Sequence, residues 1–575
     1  MHTATTRTAS SLRRLTQTAA LALLAGTPAL AQPLTTIALT GQPAPGVGPD
    51  ITFARFSPPA LAPDGTGSLV FFATLAGDGL SADLDEALFR LRNGTLELVV
   101  RESDPAPWYA PDTRFVGLSD FAIDGLGSVT LAASVDDPAV MDNATKARAL
   151  GIFAEVSNNT FAPLGRIDDQ AEGLPDGDLY DTLNSPTVAA VGSAFFTGGR
   201  PGDGLDSLPK GLWTDRTGSV TLLLTPGDIA PGTQGQLFAH FAPPTPAPAG
   251  GYVFRGSSRP DGSTDRATPG LWRERNNTFD ALALGGQPAP GTASTFAEFA
   301  AQQAINADAR VAFVGTLDVA DPESDSGLWT DRGGSLVLLV REGDAAPGTD
   351  SSTIAAISPH VVLNDAGDIA FRCGLRNADS QTNTAIYLAR ADGSFQLVAL
   401  EGDGIADELG DVTIATLGDP QLNNAGEMLF AATLTGADVD RDSNHALLAR
   451  DTDGIVYSVA REGQMIDPDG SGMRQIRSIV ADTSAARAGR DPLDETGRVG
   501  LALSFTDNTF GVFTAAVAYV SPADINADGI VDTRDFVAFL NLWNAQDPEA
   551  DFNNDGIIDS RDFVLFLNIW SRDRS

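Results

Sequence analysis

The chain has 575 residues, 75 of them acidic and 37 basic, for a formal net charge of -38. Such an excess of negative charge repels nucleic acid and anionic lipid and suits divalent cations or a saline exterior. A single cysteine, Cys373, excludes an intramolecular disulfide and a cysteine-built zinc site, while 59 glycines and 35 prolines indicate a turn-rich, all-β chain.

At the N-terminus, Arg7, Arg13 and Arg14 precede an apolar run from Leu15 to Leu24 that is too short to span a bilayer. Ala29-Leu30-Ala31 then supplies a small-x-small cleavage site, so residues 1–31 read as a secretory signal peptide. No later apolar stretch has the length of a membrane helix.

From residue 32 to 520 one phrase recurs: Gly41-Gln42-Pro43-Ala44-Pro45-Gly46, Gly227-Asp228-Ile229-Ala230-Pro231-Gly232, Gly286-Gln287-Pro288-Ala289-Pro290-Gly291 and Gly343-Asp344-Ala345-Ala346-Pro347-Gly348. Weaker copies start at Ser103, Gly165, Gly402 and Gly463, giving eight units at spacings of 57 to 62 residues. Within units, Asn364-Asp365-Ala366-Gly367 and Asn423-Asn424-Ala425-Gly426 precede apolar runs, as tight hairpin turns do. A second recurring group is a small residue, an aliphatic and an aromatic: Gly211-Leu212-Trp213, Gly270-Leu271-Trp272, Gly327-Leu328-Trp329 and Ala385-Ile386-Tyr387. Each unit therefore reads as four short strands, and eight units predict an eight-bladed β-propeller of ~60-residue repeats. The last unit runs out of strands at Ser521-Pro522, and Thr35–Leu39 is available to complete it. A β-solenoid is the competing architecture.

Catalytic residues should interrupt a repeat, because one site needs one set of groups. The acids Glu102 and Asp104, Glu342 and Asp344, and Glu401 and Asp403 recur with it and read as turn chemistry. His240, His360 and His445 are the histidines beyond the signal segment, and His360 falls in an expected loop with no dyad partner nearby in sequence. Asp438, Asp440 and Asp442 alternate as a solvated acidic loop. Cys373 follows Ile369-Ala370-Phe371 and reads as a buried small hydrophobe. The repeats resemble secreted tandem-repeat proteins of planctomycete-like bacteria that carry an Asn-x-x-Gly-x-x-Ala-Phe phrase, a resemblance that implies no activity.

Residues 521–575 carry the most specific signal. Asp524, Asn526, Asp528, Gly529, Asp532 and Asp535 occupy positions 1, 3, 5, 6, 9 and 12 of a loop. The set returns 27 residues later as Asp551, Asn553, Asp555, Gly556, Asp559 and Asp562. Calcium takes six to eight hard oxygens, and this spacing wraps a 12-residue loop around one ion, with the carbonyls of Ile530 and Ile557 at position 7. Two ions are expected. Phe536, Phe539, Leu540 and Trp543 then mark one face of a helix, repeated by Phe563, Phe566, Leu567 and Trp570. Twenty aligned positions of the two copies share fourteen identities.

A duplicated loop and helix without an entering helix resembles a type I dockerin. That resemblance implies a cohesin-like partner, chosen in part by loop positions 10 and 11, here Thr533-Arg534 and Ser560-Arg561. The whole reads as a secreted, non-catalytic propeller tethered through a calcium-dependent module to an extracellular or cell-surface assembly, with no nucleic-acid partner and no membrane span. Two readings compete: a dockerin-borne glycoside hydrolase or lyase acting on polysaccharide, and a glycan- or protein-binding propeller with the module as a structural cap.

Overall fold

Apolar residues on both faces of the middle strands require cover on both sides, and neighbouring sheets supply it. In Leu69–Ala76, Leu69, Phe71, Ala73 and Leu75 are buried on one face and Val70 on the other. The computed structural model describes residues 34–574 apart from 82–83, 107–111, 137–148, 158, 200–208, 277, 350, 377–381, 406–411, 438, 482, 484–488 and 553–556. The expected signal peptide, residues 1–31, lies outside the described residues, as does Asp438. The chain divides into two compact units, with Leu30–Val520 in one and Ser521–Ser575 in the other.

The larger unit is an eight-bladed β-propeller of eight antiparallel sheets. Blade one runs from Thr52–Phe56 and Ala60–Leu61 through Leu69–Ala76 and Glu86–Arg92 to Thr95–Arg101. The following blades begin at Arg114, Thr182, Leu237, Phe296, Thr353, Thr413 and Arg474. First strands of blades three to seven, with residues of the last blade, line a small cavity of about 180 Å³. The last blade takes Arg474–Val480, Arg498–Phe505 and Phe510–Ala516 from its own unit. Its outermost strand is Thr35–Leu39, paired antiparallel with Thr35 opposite Thr514 and Leu39 opposite Gly511. Gly511 is required there, because a Cβ would lie 2.6 Å from Leu39 Cδ2 and 2.7 Å from the Phe513 ring.

The recurring phrase joins each outermost strand to the next blade. Its second residue caps the departing strand: Gln42 Oε1 accepts from Leu39 N at 3.0 Å, and Asp344 and Asp403 accept from Arg341 N and Leu400 N at 2.8 Å. Its fifth residue is held by the recurring aromatic. Trp272 Nε1 donates to Pro231 O at 3.1 Å, Trp329 Nε1 to Pro290 O at 3.0 Å, and Tyr387 Oη to Pro347 O at 2.8 Å. Trp329 is fully buried. Trp329→Phe should therefore cost about 1 kcal/mol, the net worth of one hydrogen bond, and Trp329→Ala about 3–5 kcal/mol. Denaturant midpoints at unchanged slope check this, and no loss from Trp329→Phe would remove the hydrogen bond's role.

At the other end of the blades the turn asparagines join neighbours. Asn306 Nδ2 donates to Asn364 O at 3.2 Å, while Asn364 Nδ2 donates to Asn423 O and Asn423 Nδ2 to Asp494 O, both at 3.1 Å. These residues thus serve as hairpin formers and as links between blades five to eight.

The smaller unit holds two helices, α1 (Thr533–Ala545) and α2 (Ser560–Asp573), and a 3-10 turn at Pro548–Ala550 ahead of the second loop. No helix among the described residues is long and apolar enough to cross a membrane.

Candidate docking and metal site

Each helix of the smaller unit starts on a carboxylate supplied by its loop. Asp532 is the N-cap of α1 and accepts from Arg534 N at 2.7 Å, while Asp535 accepts from Asp532 N at 2.8 Å. Asp559 and Asp562 repeat the arrangement on α2, at 2.8 Å for both bonds. This reciprocal capping satisfies N–H groups that the first turn leaves without helical partners. Loop positions 9 and 12 therefore set where the helices begin, as well as offering oxygens to the loops.

The two halves are related by an approximate twofold. Trp543 Nε1 of α1 donates to Asp559 O of the second loop at 3.1 Å, and Trp570 Nε1 of α2 donates to Asp532 O of the first. Phe539 and Phe566, both fully buried, stack at 3.9 Å with ring planes 7° apart. Thr533, Arg534, Ser560 and Arg561 are exposed in matching places. One turn along the helices stand Val537 and Val564, 55% and 54% exposed.

The first loop offers carboxylates at Asp524, Asp528, Asp532 and Asp535, an amide oxygen at Asn526 and the Ile530 carbonyl, an all-oxygen set that fits calcium. Gly529 turns the loop at φ 79°. Asp524 accepts from Asp528 N and Gly529 N at 3.1 and 2.8 Å, and Asp535 Oδ1 accepts from Asn526 N at 3.1 Å. Asp535 is fully buried and has no cationic side chain paired with it among the described residues. A buried carboxylate calls for countercharge, which is a second point of fit.

The Arg534 guanidinium reaches into this loop, 2.9 Å from both Asp528 Oδ2 and Asp532 Oδ2. It holds the Asp532 carboxyl below the usual carboxylate range, chiefly by hydrogen bonding. Arg561 does the same to Asp559 at 2.9 Å. Among the described residues no three acidic, histidine or cysteine side chains converge as a metal centre, the first-loop carboxylates being turned to backbone N–H groups and Arg534. Asn553, Asp555 and Gly556 of the second loop lie outside the described residues.

In the propeller, His360 lies within the strand Thr353–Leu363, which corrects the expected loop: a bulge between Ile357 and Val361 keeps Ser358-Pro359 in the strand. The strand meets residues 61 positions away in the next blade. Ser358 Oγ donates to Asp419 Oδ1 at 2.7 Å, Arg372 Nε donates to the same oxygen at 2.8 Å, and Gln421 Nε2 lies 3.4 Å from His360 Nε2. Burial lowers the His360 pKa and favours neutral imidazole. The serine points to the aspartate rather than the imidazole, so the group does not form a nucleophile and base pair.

The recurring acids cap strands: Glu102 accepts from Glu86 N at 3.0 Å, and Glu401 from Asn383 N at 3.1 Å. His445 pairs with Glu462 at 3.0 Å. Asp440 accepts from Ser443 Oγ and Asp442 N within its own turn, both at 2.9 Å. Burial pushes the Cys373 thiol up to about 12.

Residues 27–148, 142–326 and 248–522 match a family described as Family of unknown function (DUF7453), and residues 522–568 match the Dockerin type I domain. No curated protein matches the chain. Among solved structures, the β-propeller domain of the Trilobed protease from Pyrococcus furiosus is 9% identical with a TM-score of 0.37, over 71% of this chain and 98% of that one. The Dos1 propeller is 9% identical with a TM-score of 0.35, over 84% and 95%. The polysaccharide lyase Uly1 is 10% identical with a TM-score of 0.31, over 85% and 98%. Likeness at this level extends no activity to this chain.

Proposed function

The chain belongs to the Family of unknown function (DUF7453) and ends in a dockerin type I match, and on that footing we propose that it is an extracellular propeller held by calcium-dependent docking to a cohesin-like partner. The observation that carries this reading is the duplicated loop and helix folded about an approximate twofold, with reciprocal bonds from Trp543 and Trp570. One ion would sit among Asp524, Asn526, Asp528, the Ile530 carbonyl, Asp532 and Asp535. A second would sit among Asp551, Asn553, Asp555, the Ile557 carbonyl, Asp559 and Asp562. Calcium would draw each loop against its helix and so present Thr533 and Arg534, or Ser560 and Arg561, to the partner. The signal-like residues 1–31 support export to where such a partner would stand.

Two matching faces allow the module to be turned by half a turn on its partner. Arg534→Asp alone and Arg561→Asp alone should each change affinity by less than about threefold, because the intact face still docks. The double variant should abolish binding, since each acid then meets a surface built for a cation. The measurement is affinity for a cohesin-like protein recovered from the exported proteins of the same organism, with bound calcium counted alongside because Arg534 also touches Asp528 and Asp532. A large loss from either single variant at unchanged calcium would leave one working face. Failure to recover any partner would favour the capping role.

A further inference from the structure

The seam where the last blade meets the first holds a cleft of about 330 Å³, lined in part by Arg55, Arg477, Ser478, Ser504, Asn508 and Phe510. No carboxylate lines it, although the chain has 75 acidic residues against 37 basic ones. Neither arginine forms an ion pair among the described residues. Both side chains are exposed, whereas the fully buried Arg90 pairs with Glu155 at 2.7 Å and the half-buried Arg372 with Asp419 at 2.8 Å.

Arg477 interrupts the repeat, and Arg55 stands at a position that varies from blade to blade. Seven first strands carry a one-residue bulge at the same place, and the extra residue is Ala54, Val116, Ala239, Ala297, Ala355, Ala415 and, in the last blade, Arg477. The residue after the bulge is Arg55 in blade one, against Gly117, His240, Glu298, Ala356, Thr416 and Ser478 in the others. The last blade is also trimmed here: four residues join Phe505 to Phe510, where seven to twelve join the corresponding strands of the other blades. A blade packed only for stability needs neither change.

The two guanidiniums are held without being used up. Arg55 lies over the Phe510 ring at 5.1 Å, a contact that orients the cation and leaves its N–H groups available. Arg477 gives one N–H to Asn508 Oδ1 at 3.0 Å. Paired guanidiniums recognise carboxylate or sulfate by forked hydrogen bonds. Phe510, Phe56 and Leu503 offer apolar surface, and Ser478 and Ser504, with hydroxyls 2.6 Å apart, offer hydrogen bonds beside it. The volume is at the small end for ligand sites, roughly 300–1,000 Å³. We infer that this cleft binds an anionic sugar unit, a pyranose bearing a carboxylate or a sulfate. This site is separate from the docking module and does not rest on that reading.

The test is calorimetric titration of the full chain, at fixed calcium, with three probes: tetragalacturonate, a sulfated carrageenan tetrasaccharide and neutral cellotetraose. At least one anionic probe should bind about tenfold or more tighter than cellotetraose, and which one binds identifies the anionic group. Arg477→Ala installs the residue that five other blades carry at this bulge and so spares the fold; it should weaken that binding about tenfold or more, as should Arg55→Ala. Arg441→Ala, at a side chain 90% exposed elsewhere on the propeller, removes the same charge and should leave binding unchanged. Anionic probes that bind no better than cellotetraose, or an Arg441→Ala loss equal to that of Arg477→Ala, would overturn the inference.

Discussion

Removal of calcium is expected to unfold residues 521–575 and leave the eight blades intact. The buried apolar side chains of this unit are few, chiefly Phe539, Phe552, Phe566, Ile569, Val531 and two alanines, Ala523 and Ala550. Units this small usually need a metal or another staple, because folding covers too little surface to offset chain entropy. The sequence also puts four carboxylates in each 12-residue loop, and Asp535 and Asp562 are fully buried. Without a cation their repulsion and desolvation oppose the fold, so binding energy becomes folding energy. Hydrogen exchange on the full chain should show α1 and α2 losing protection in excess chelator while the blade strands keep theirs. Asp524→Ala and Asp551→Ala should each remove one bound ion. Helices that stay protected in chelator would refute the coupling.

Deleting residues 34–40 should have the next largest effect. The strand Thr35–Leu39 completes the last sheet, with Ala38 and Leu39 buried against the core. Thr40 adds two links to Phe510, its N to Phe510 O at 2.9 Å and its Oγ1 from Phe510 N at 3.0 Å. Without this strand, Phe510–Ala516 becomes an unpaired edge at the join between first and last blades, a template for association with other chains. The deleted chain should aggregate or lose its single cooperative melt. Leu39→Ala, a milder probe, should cost about 2–5 kcal/mol. A deleted chain that stays monomeric and melts at the original temperature would show that the ring closes without this strand.

What was legible in the sequence follows from what repeats. The four-strand unit shows because every blade buries both faces of its middle strands. The closing strand shows because the last unit lacks one while Thr35–Leu39 supplies it. The spacing of Asp524 to Asp535 likewise marks a loop, since its geometry is local. Contacts between units leave no such local mark. Ser358, His360 and Asp419 meet because adjacent blades bring together residues about sixty positions apart. The blade-to-blade bonds of Asn306, Asn364 and Asn423 look in sequence like turn chemistry alone. Arg534 was expected to face a partner, and its hold on Asp528 depends on how the loop curls back on the first turn of α1. Arg55 and Arg477 lie at opposite ends of the ring in sequence, and only closure with a shared bulge register places them in one cleft.

The central claim, that calcium controls docking through the C-terminal module, is tested most directly by titrating the full chain with a cohesin-like protein, first in calcium and then in excess chelator. The account predicts a one-to-one complex in calcium, no detectable complex in chelator, and full recovery when calcium is restored. A complex that forms equally well in chelator would contradict it.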